Sequence, residues 1–245
     1  MKKVIVIQAR MTSTRLPGKI LKPVLGKPLL EYQLERLKRV PLADEIVVAT
    51  TLNATDQPVV ELCKELGISC LQGSENDVLA RYHQAYKAFQ ADVVLRITSD
   101  CPLIDPQVVG KVLSFYLENY GTYDYVSNCL DRTYPRGMDT EVFSGMLLQE
   151  IFDQAAEPLE REHVTAHIYR HPERYKLANV AYHHNESHHR WTVDTPEDFE
   201  IIRRIIEALY PVKPQFTMED VLQLLEKHAD WSALNSHIEQ KKLGQ

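Results

Sequence analysis

The chain has 245 residues, 44% hydrophobic and 25% charged, a balance suited to one soluble globular unit with a large core. A formal net charge of −6 argues against a general nucleic-acid binder, so any anion site has to be local. No apolar run approaches the ~20 residues of a membrane span, and the N-terminus lacks a signal-peptide core. The four cysteines, Cys63, Cys70, Cys101 and Cys129, show no CxxC spacing, so the expectation is a cytoplasmic protein with reduced thiols.

The apolar run Val4-Ile5-Val6-Ile7 predicts a buried strand. Behind it comes Gln8-Ala9-Arg10-Met11-Thr12-Ser13-Thr14-Arg15-Leu16-Pro17-Gly18-Lys19, a small polar loop with three cations. Such a loop at the C-terminal end of a parallel strand is where α/β folds hold ligands. Its Arg and Lys residues suit a polyphosphate, with a solvated basic loop as the alternative. Gly18 stands alone, so this is neither a Walker A loop nor a dinucleotide fingerprint.

Further along, the spacing predicts helices over 29–40, 57–66, 77–90 and 105–119, alternating with strands over 45–50, 68–71 and 92–98. Gly67 stands at a helix C-cap and Asp105-Pro106 at a helix start. This alternation implies one α/β domain built on a parallel sheet with helices on both faces. After about Tyr120 the order changes: strands over 123–127, 140–143 and 175–181, and helices over 146–154 and 159–169. Thr195-Pro196-Glu197-Asp198 and Thr217-Met218-Glu219-Asp220 both read as helix starts. The tail from about Ser232 either packs loosely or mediates self-association.

Asp100 follows the strand over 92–98, on the same sheet edge as the basic loop. A carboxylate there suits Mg²⁺ beside a triphosphate, or shapes the turn before Pro102. Asp194 ends a further short strand, and spacing alone does not bring it to Asp100. Asp77 suits a helix first turn or a ligand, and Arg81 suits a ligand or an i,i+4 pair with Asp77. His163, His167 and His171 recur every four residues, so one helix face could hold a metal or simply meet solvent. His183, His184, His188 and His189 read as a polar loop. No nucleophile elbow or Cys–His couple supports covalent catalysis.

Six segments together resemble the sugar-acid cytidylyltransferases, the superfamily of CMP-3-deoxy-manno-octulosonate and CMP-acylneuraminate synthetases. They are IQARMTSTRLPGK, DVLARY over 77–82, DCPLID over 100–105, PRGMDTE over 135–141, REHVT over 161–165 and RWTVDTPED over 190–198. They are most similar to the spore-coat polysaccharide biosynthesis protein F (SpsF) branch.

The resemblance implies a Rossmann-like nucleotide-diphospho-sugar transferase fold, three-layer α/β/α with a mixed, mainly parallel sheet. It implies a single domain over 1–245. Residues 1–120 would bind nucleotide, 121–210 would serve acceptor binding and dimerisation, and 211–245 would form a helical extension. It also implies CTP as donor, Mg²⁺ as cofactor, and CMP transfer to a sugar acid for surface or spore-coat polysaccharide. A homodimer without nucleic acid or membrane insertion is expected.

Arg10, Lys19 and Asp100 would be catalytic. Ala9, Arg10, Met11, Ser13, Arg15, Lys19, Gly73, Asp77, Arg81 and Asp100 would contact nucleotide. Arg136, Asp139 and Glu141 would meet the acceptor, and Asp100 and Asp194 would hold the metal. Thr192 stands two residues before Asp194, where the acylneuraminate enzymes often carry a second acid, so the metal count stays open. Alternatives are another nucleotide or a phosphosugar acceptor on the same fold, or a nucleotide-binding protein without turnover.

Overall fold

A computed structural model describes residues 1–240 of the chain. In chain order, β1 (Lys3–Gln8) leads through the basic loop and a single 3-10 turn (Lys19–Leu21) to a small hairpin of β2 (Pro23–Val24) and β3 (Lys27–Pro28). Then come α1 (Leu29–Leu37), β4 (Glu45–Thr51), α2 (Gln57–Glu65), β5 (Ser69–Gly73), α3 (Val78–Phe89), β6 (Val93–Thr98) and α4 (Pro106–Glu118). The second half adds β7 (Tyr125–Ser127), β8 (Glu141–Ser144), α5 (Gly145–Gln154), α6 (Pro158–Glu162), α7 (Ala166–Arg170) and β9 (Leu177–Asn179). It closes with α8 (Pro196–Leu209), α9 (Met218–Lys227) and α10 (Ala229–Ser232).

Seven strands form one sheet in the order β5-β4-β1-β6-β8-β7-β9. β8 runs antiparallel to both β6 and β7, while the other pairings are parallel, so the expected mixed, mainly parallel sheet is present. Alternation along β1 explains why the sheet needs helices on both faces. Ile5 and Ile7 join Leu30, Leu34 and Val112 in one core, while Val4 and Val6 join Tyr82, Phe143 and Ile151 in another. A third core centred on Trp191, Ile202, Ile205 and Val221 packs α8 and α9 onto the β2–β3 hairpin and the end of the basic loop.

The start signals act as read. Asp105 accepts the Gln107 N–H at 2.7 Å, and both Thr195 and Thr217 form capping boxes with the acid three residues on. Gly67 sits at φ 64 just past α2.

Three expectations need correction. The helix over 29–40 ends at Leu37, and residues up to Val40 continue only as turns. The helix over 159–169 is two short helices, because Val164 turns back at φ 47. Branched Val164 and Thr165 are weak helix formers, and the Thr165 hydroxyl is drawn to Glu141 at 2.5 Å instead. The strand before Asp194 is a single bridge between Arg136 and Arg190. The tail is anchored through Asn235, which is 3% exposed and bonded into the α8 start.

Candidate active site

β1 and β6 are neighbours, with Gln8 level with Thr98. The chain segments leaving their C-terminal ends therefore emerge side by side, and the Ser99 N–H donates to the Gln8 carbonyl at 3.2 Å. This places the basic loop against Asp100 before any side chain is considered.

Met11 is the pivot of the loop. Its N–H donates to Asp56 Oδ1 at 2.7 Å, and its carbonyl accepts the N–H groups of Ser13 at 2.9 Å and Gly18 at 3.0 Å. Asp56 is fully buried and also accepts the Thr51 hydroxyl. Gly18 takes φ 68 to enter the 3-10 turn, which aims Lys19 back under the loop.

Lys19 Nζ lies 2.8 Å from Asp100 Oδ2 and 2.8 Å from Asp194 Oδ1. The structure thus joins the two acids that sequence spacing could not connect. Residues 192–194 run alongside Asp100, with the Val193 N–H on the Asp100 carbonyl at 2.9 Å. Asp194 also meets Arg15 Nη2 at 2.9 Å and Arg190 Nη2 at 2.6 Å. Burial disfavours the Asp100 carboxylate. Lys19 and the Thr98 hydroxyl at 2.7 Å outweigh that and hold its pKa at about 2. Burial likewise opposes the Lys19 charge, but the two acids raise its pKa above the ordinary value.

Behind this cluster, Arg190 donates from Nε to Asp198 Oδ1 at 3.0 Å. Asp198 is fully buried and accepts the N–H groups of Asp194 and Thr195, both at 3.0 Å. Asn235 closes the network, donating to the Arg190 carbonyl at 2.9 Å and to Asp198 at 2.8 Å. Gly137, at φ 103, lets its segment pass the Trp191 backbone; a Cβ there would stand 2.8 Å from the Trp191 carbonyl.

On the other flank, Thr12 and Asn53 converge on Glu75, at 2.5 and 2.6 Å. Arg10 is half-buried and makes no ion pair among the described residues. Arg81 is 2% exposed, and its Nε and Nη1 have no hydrogen-bond partner. Burial lowers its pKa, with Arg10 opposing it further. Gly73 is where β5 touches that side chain: a Cβ would stand 2.9 Å from Arg81 Cγ. Ala9 is buried, and its N–H is spent on the Ala49 carbonyl at 3.1 Å. Asp77 does not pair with Arg81. It caps α3 through the Ala80 N–H at 2.8 Å and takes Arg161 on both oxygens.

The three residues expected at the acceptor separate by environment. Glu141 is buried, paired to Arg96 and Thr165. Asp139 forms a two-pronged pair with Arg132 at 2.5 and 2.7 Å. Arg136 is half-buried and makes no ion pair among the described residues. Its pKa is lowered by burial and by Arg132. Sequence reasoning missed Asp56, Arg132, Arg190 and Asn235 as supports. Asp198 was legible only as a helix-start acid.

A family model described as cytidylyltransferase matches residues 4–235. The chain belongs to the cytidylyltransferase family. It is similar to the spore coat polysaccharide biosynthesis protein SpsF of Bacillus subtilis (strain 168), with 31% identity over 232 residues, covering 92% of this chain and 94% of that protein. A cytidylyltransferase structure from Leptospira borgpetersenii superposes with a TM-score of 0.91 at 34% identity, covering 99% of this chain and 100% of the other. CMP:2-keto-3-deoxy-manno-octonic acid synthetase complexed with CTP shares the fold, with a TM-score of 0.65 at 20% identity over 85% of this chain and 99% of that one. No helix among the described residues is long and apolar enough to cross a membrane.

For this cytidylyltransferase, the Lys19 position also reports what else could sit there. Two carboxylate oxygens converge on a single cation 2.8 Å from each. Hard oxygen donors arranged around one positive charge fit a divalent ion such as Mg²⁺.

Proposed function

We propose that the enzyme transfers CMP from CTP to a sugar acid of the nonulosonate class and releases pyrophosphate, with Mg²⁺ as its resident cation. The observation that carries this reading is the convergence of Asp100 and Asp194 on Lys19 of the basic loop. The SpsF likeness supports a role in polysaccharide biosynthesis, and the shared fold of a synthetase complexed with CTP supports the donor.

In this reading an acceptor hydroxyl attacks the α-phosphorus and pyrophosphate leaves. Arg10 carries an uncommitted guanidinium at the loop and would bind the leaving phosphates; Arg81 offers two buried N–H groups with no other use. Arg136, free of a counter-charge among the described residues, would receive the acceptor carboxylate. Asp100 and Asp194 would hold Mg²⁺, which offsets charge on phosphate oxygens when bound. Lys19, standing between the two acids, would bind phosphate oxygens of the donor. Catalysis is then positioning and electrostatics, with no covalent enzyme intermediate. A cytoplasmic homodimer belongs to the same reading.

The test is pyrophosphate release from CTP, UTP, GTP and ATP with Mg²⁺ and a panel of nonulosonates, 3-deoxy-octulosonate and phosphorylated sugars. Release that requires both CTP and one sugar acid is expected. Turnover with a phosphosugar alone, or with another nucleotide in preference to CTP, overturns the substrate assignment.

A further inference from the structure

We propose that Glu160, His167 and His171 form a site for one divalent transition-metal ion of the zinc class, spanning the junction of α6 and α7. Their ligand atoms lie within 4.8 Å of one another. Glu160 is 4% exposed and His167 5%. Neither ring nitrogen of His167 has a hydrogen-bond partner. A buried imidazole left in this state is costly unless something else satisfies it. The Glu160 carboxylate meets His167 at 3.2 Å, Arg170 at 3.6 Å and His171 at 3.9 Å.

The geometry points to an ion as that partner. His167 Nδ1 stands 3.2 Å from Glu160 Oε1 without bonding to it. Ligands at zinc-type bond lengths around a tetrahedral ion sit about 3.4 Å apart. His171 Nε2 lies 3.9 Å from the same oxygen and completes the set by a small movement of a half-exposed side chain. Its other nitrogen, Nδ1, faces Glu173 at 3.4 Å. A carboxylate on the far nitrogen fixes which one faces a metal. Arg170 Nη1, 3.6 Å from Glu160, lies beyond hydrogen-bond reach and is half-exposed, free to yield the oxygen. Two imidazoles and one carboxylate leave a fourth position for water.

His163 is not part of the set. Val164 at φ 47 swings it off the face that the four-residue spacing suggested. An ion here would clamp that turn, holding α6 to α7. The clamp matters to the site because α6 supplies Arg161 to Asp77 and the turn supplies Thr165 to Glu141.

The experiment uses the full chain, stripped with chelator and kept in Mg²⁺ to occupy the acidic site. It is titrated with Co²⁺ and then Zn²⁺. One equivalent of Co²⁺ should give the visible absorption of an imidazole-bound ion, Zn²⁺ should bleach it, and the melting temperature should rise. His171→Ala, at a half-exposed position, should weaken binding roughly tenfold or more. The double variant His188→Ala/His189→Ala, which removes the second histidine cluster (Glu186, His188, His189), should leave it unchanged. The absence of a saturable band overturns the proposal, as does a band that survives His171→Ala and vanishes in the double variant.

Discussion

Asp100 and Asp194, far apart in sequence, are joined through one ammonium: Lys19 Nζ stands 2.8 Å from a carboxylate oxygen of each. Replacing Lys19 with Met keeps the buried stem and removes the charge, leaving two acids facing each other. Breaking a buried pair of this kind costs about 3 kcal/mol. Lys19→Met should therefore melt well below the wild type without divalent ions, and Mg²⁺ should raise its melting temperature more than it raises the wild type's. Equal Mg²⁺ responses in the two proteins would show that the acids do not share a cation position.

The pH response of His189 follows from its surroundings. Burial, with His188 adding to it, pushes its pKa down to about 4. The unfolded chain binds a proton near the ordinary 6.5 while the folded chain does not, so stability rises with pH. The contribution is complete above about 6.5 and is lost as pH falls toward 4, at most about 3 kcal/mol in total. Denaturant titrations across that window should show a shallower pH slope in His189→Asn. An unchanged slope would place the proton uptake on another group.

Asp56 holds the basic loop without touching it through a side chain of the loop: it grips the Met11 N–H at 2.7 Å. Asp56→Ala leaves that N–H and the Thr51 hydroxyl without an acceptor, at about 1–3 kcal/mol. Because the loop loses its anchor, CTP binding measured by calorimetry should weaken about tenfold. Asn, which keeps one acceptor oxygen, should recover part of it. CTP affinity unaltered by Asp56→Ala would mean the loop is fixed by its own turn.

What could be read from the sequence is what local chemistry decides. A continuous apolar run marked β1, Asp105-Pro106 marked α4, and Thr195…Asp198 marked α8, because caps and periodicity act within a few residues. The basic loop and Asp100 were legible together because parallel strands put their C-terminal ends on one edge. The insertion of antiparallel β8 between β6 and β7 was not, since strand order is set by packing across the whole chain. Nor was the Lys19 bridge, which needs Asp194 to return beside Asp100. Arg190 and Asn235 acquire their roles only from that return. The break at Val164 lay hidden because a helix-like histidine spacing continued through it.

Asn235 carries the prediction for the C-terminal segment. Its amide joins the Arg190 carbonyl to Asp198, which in turn positions the Asp194 backbone. Asn235→Ala should cost about 1–3 kcal/mol, because it removes a buried donor from a charged network. Its effect on turnover should exceed its effect on CTP affinity, since the network sets Asp194 rather than the loop. Asn235→Asp would place a third carboxylate against Asp198 and should be worse than Ala. Kinetics and melting curves of the two variants check this, and a fall in CTP affinity with turnover intact would move Asn235 out of the Asp194 network.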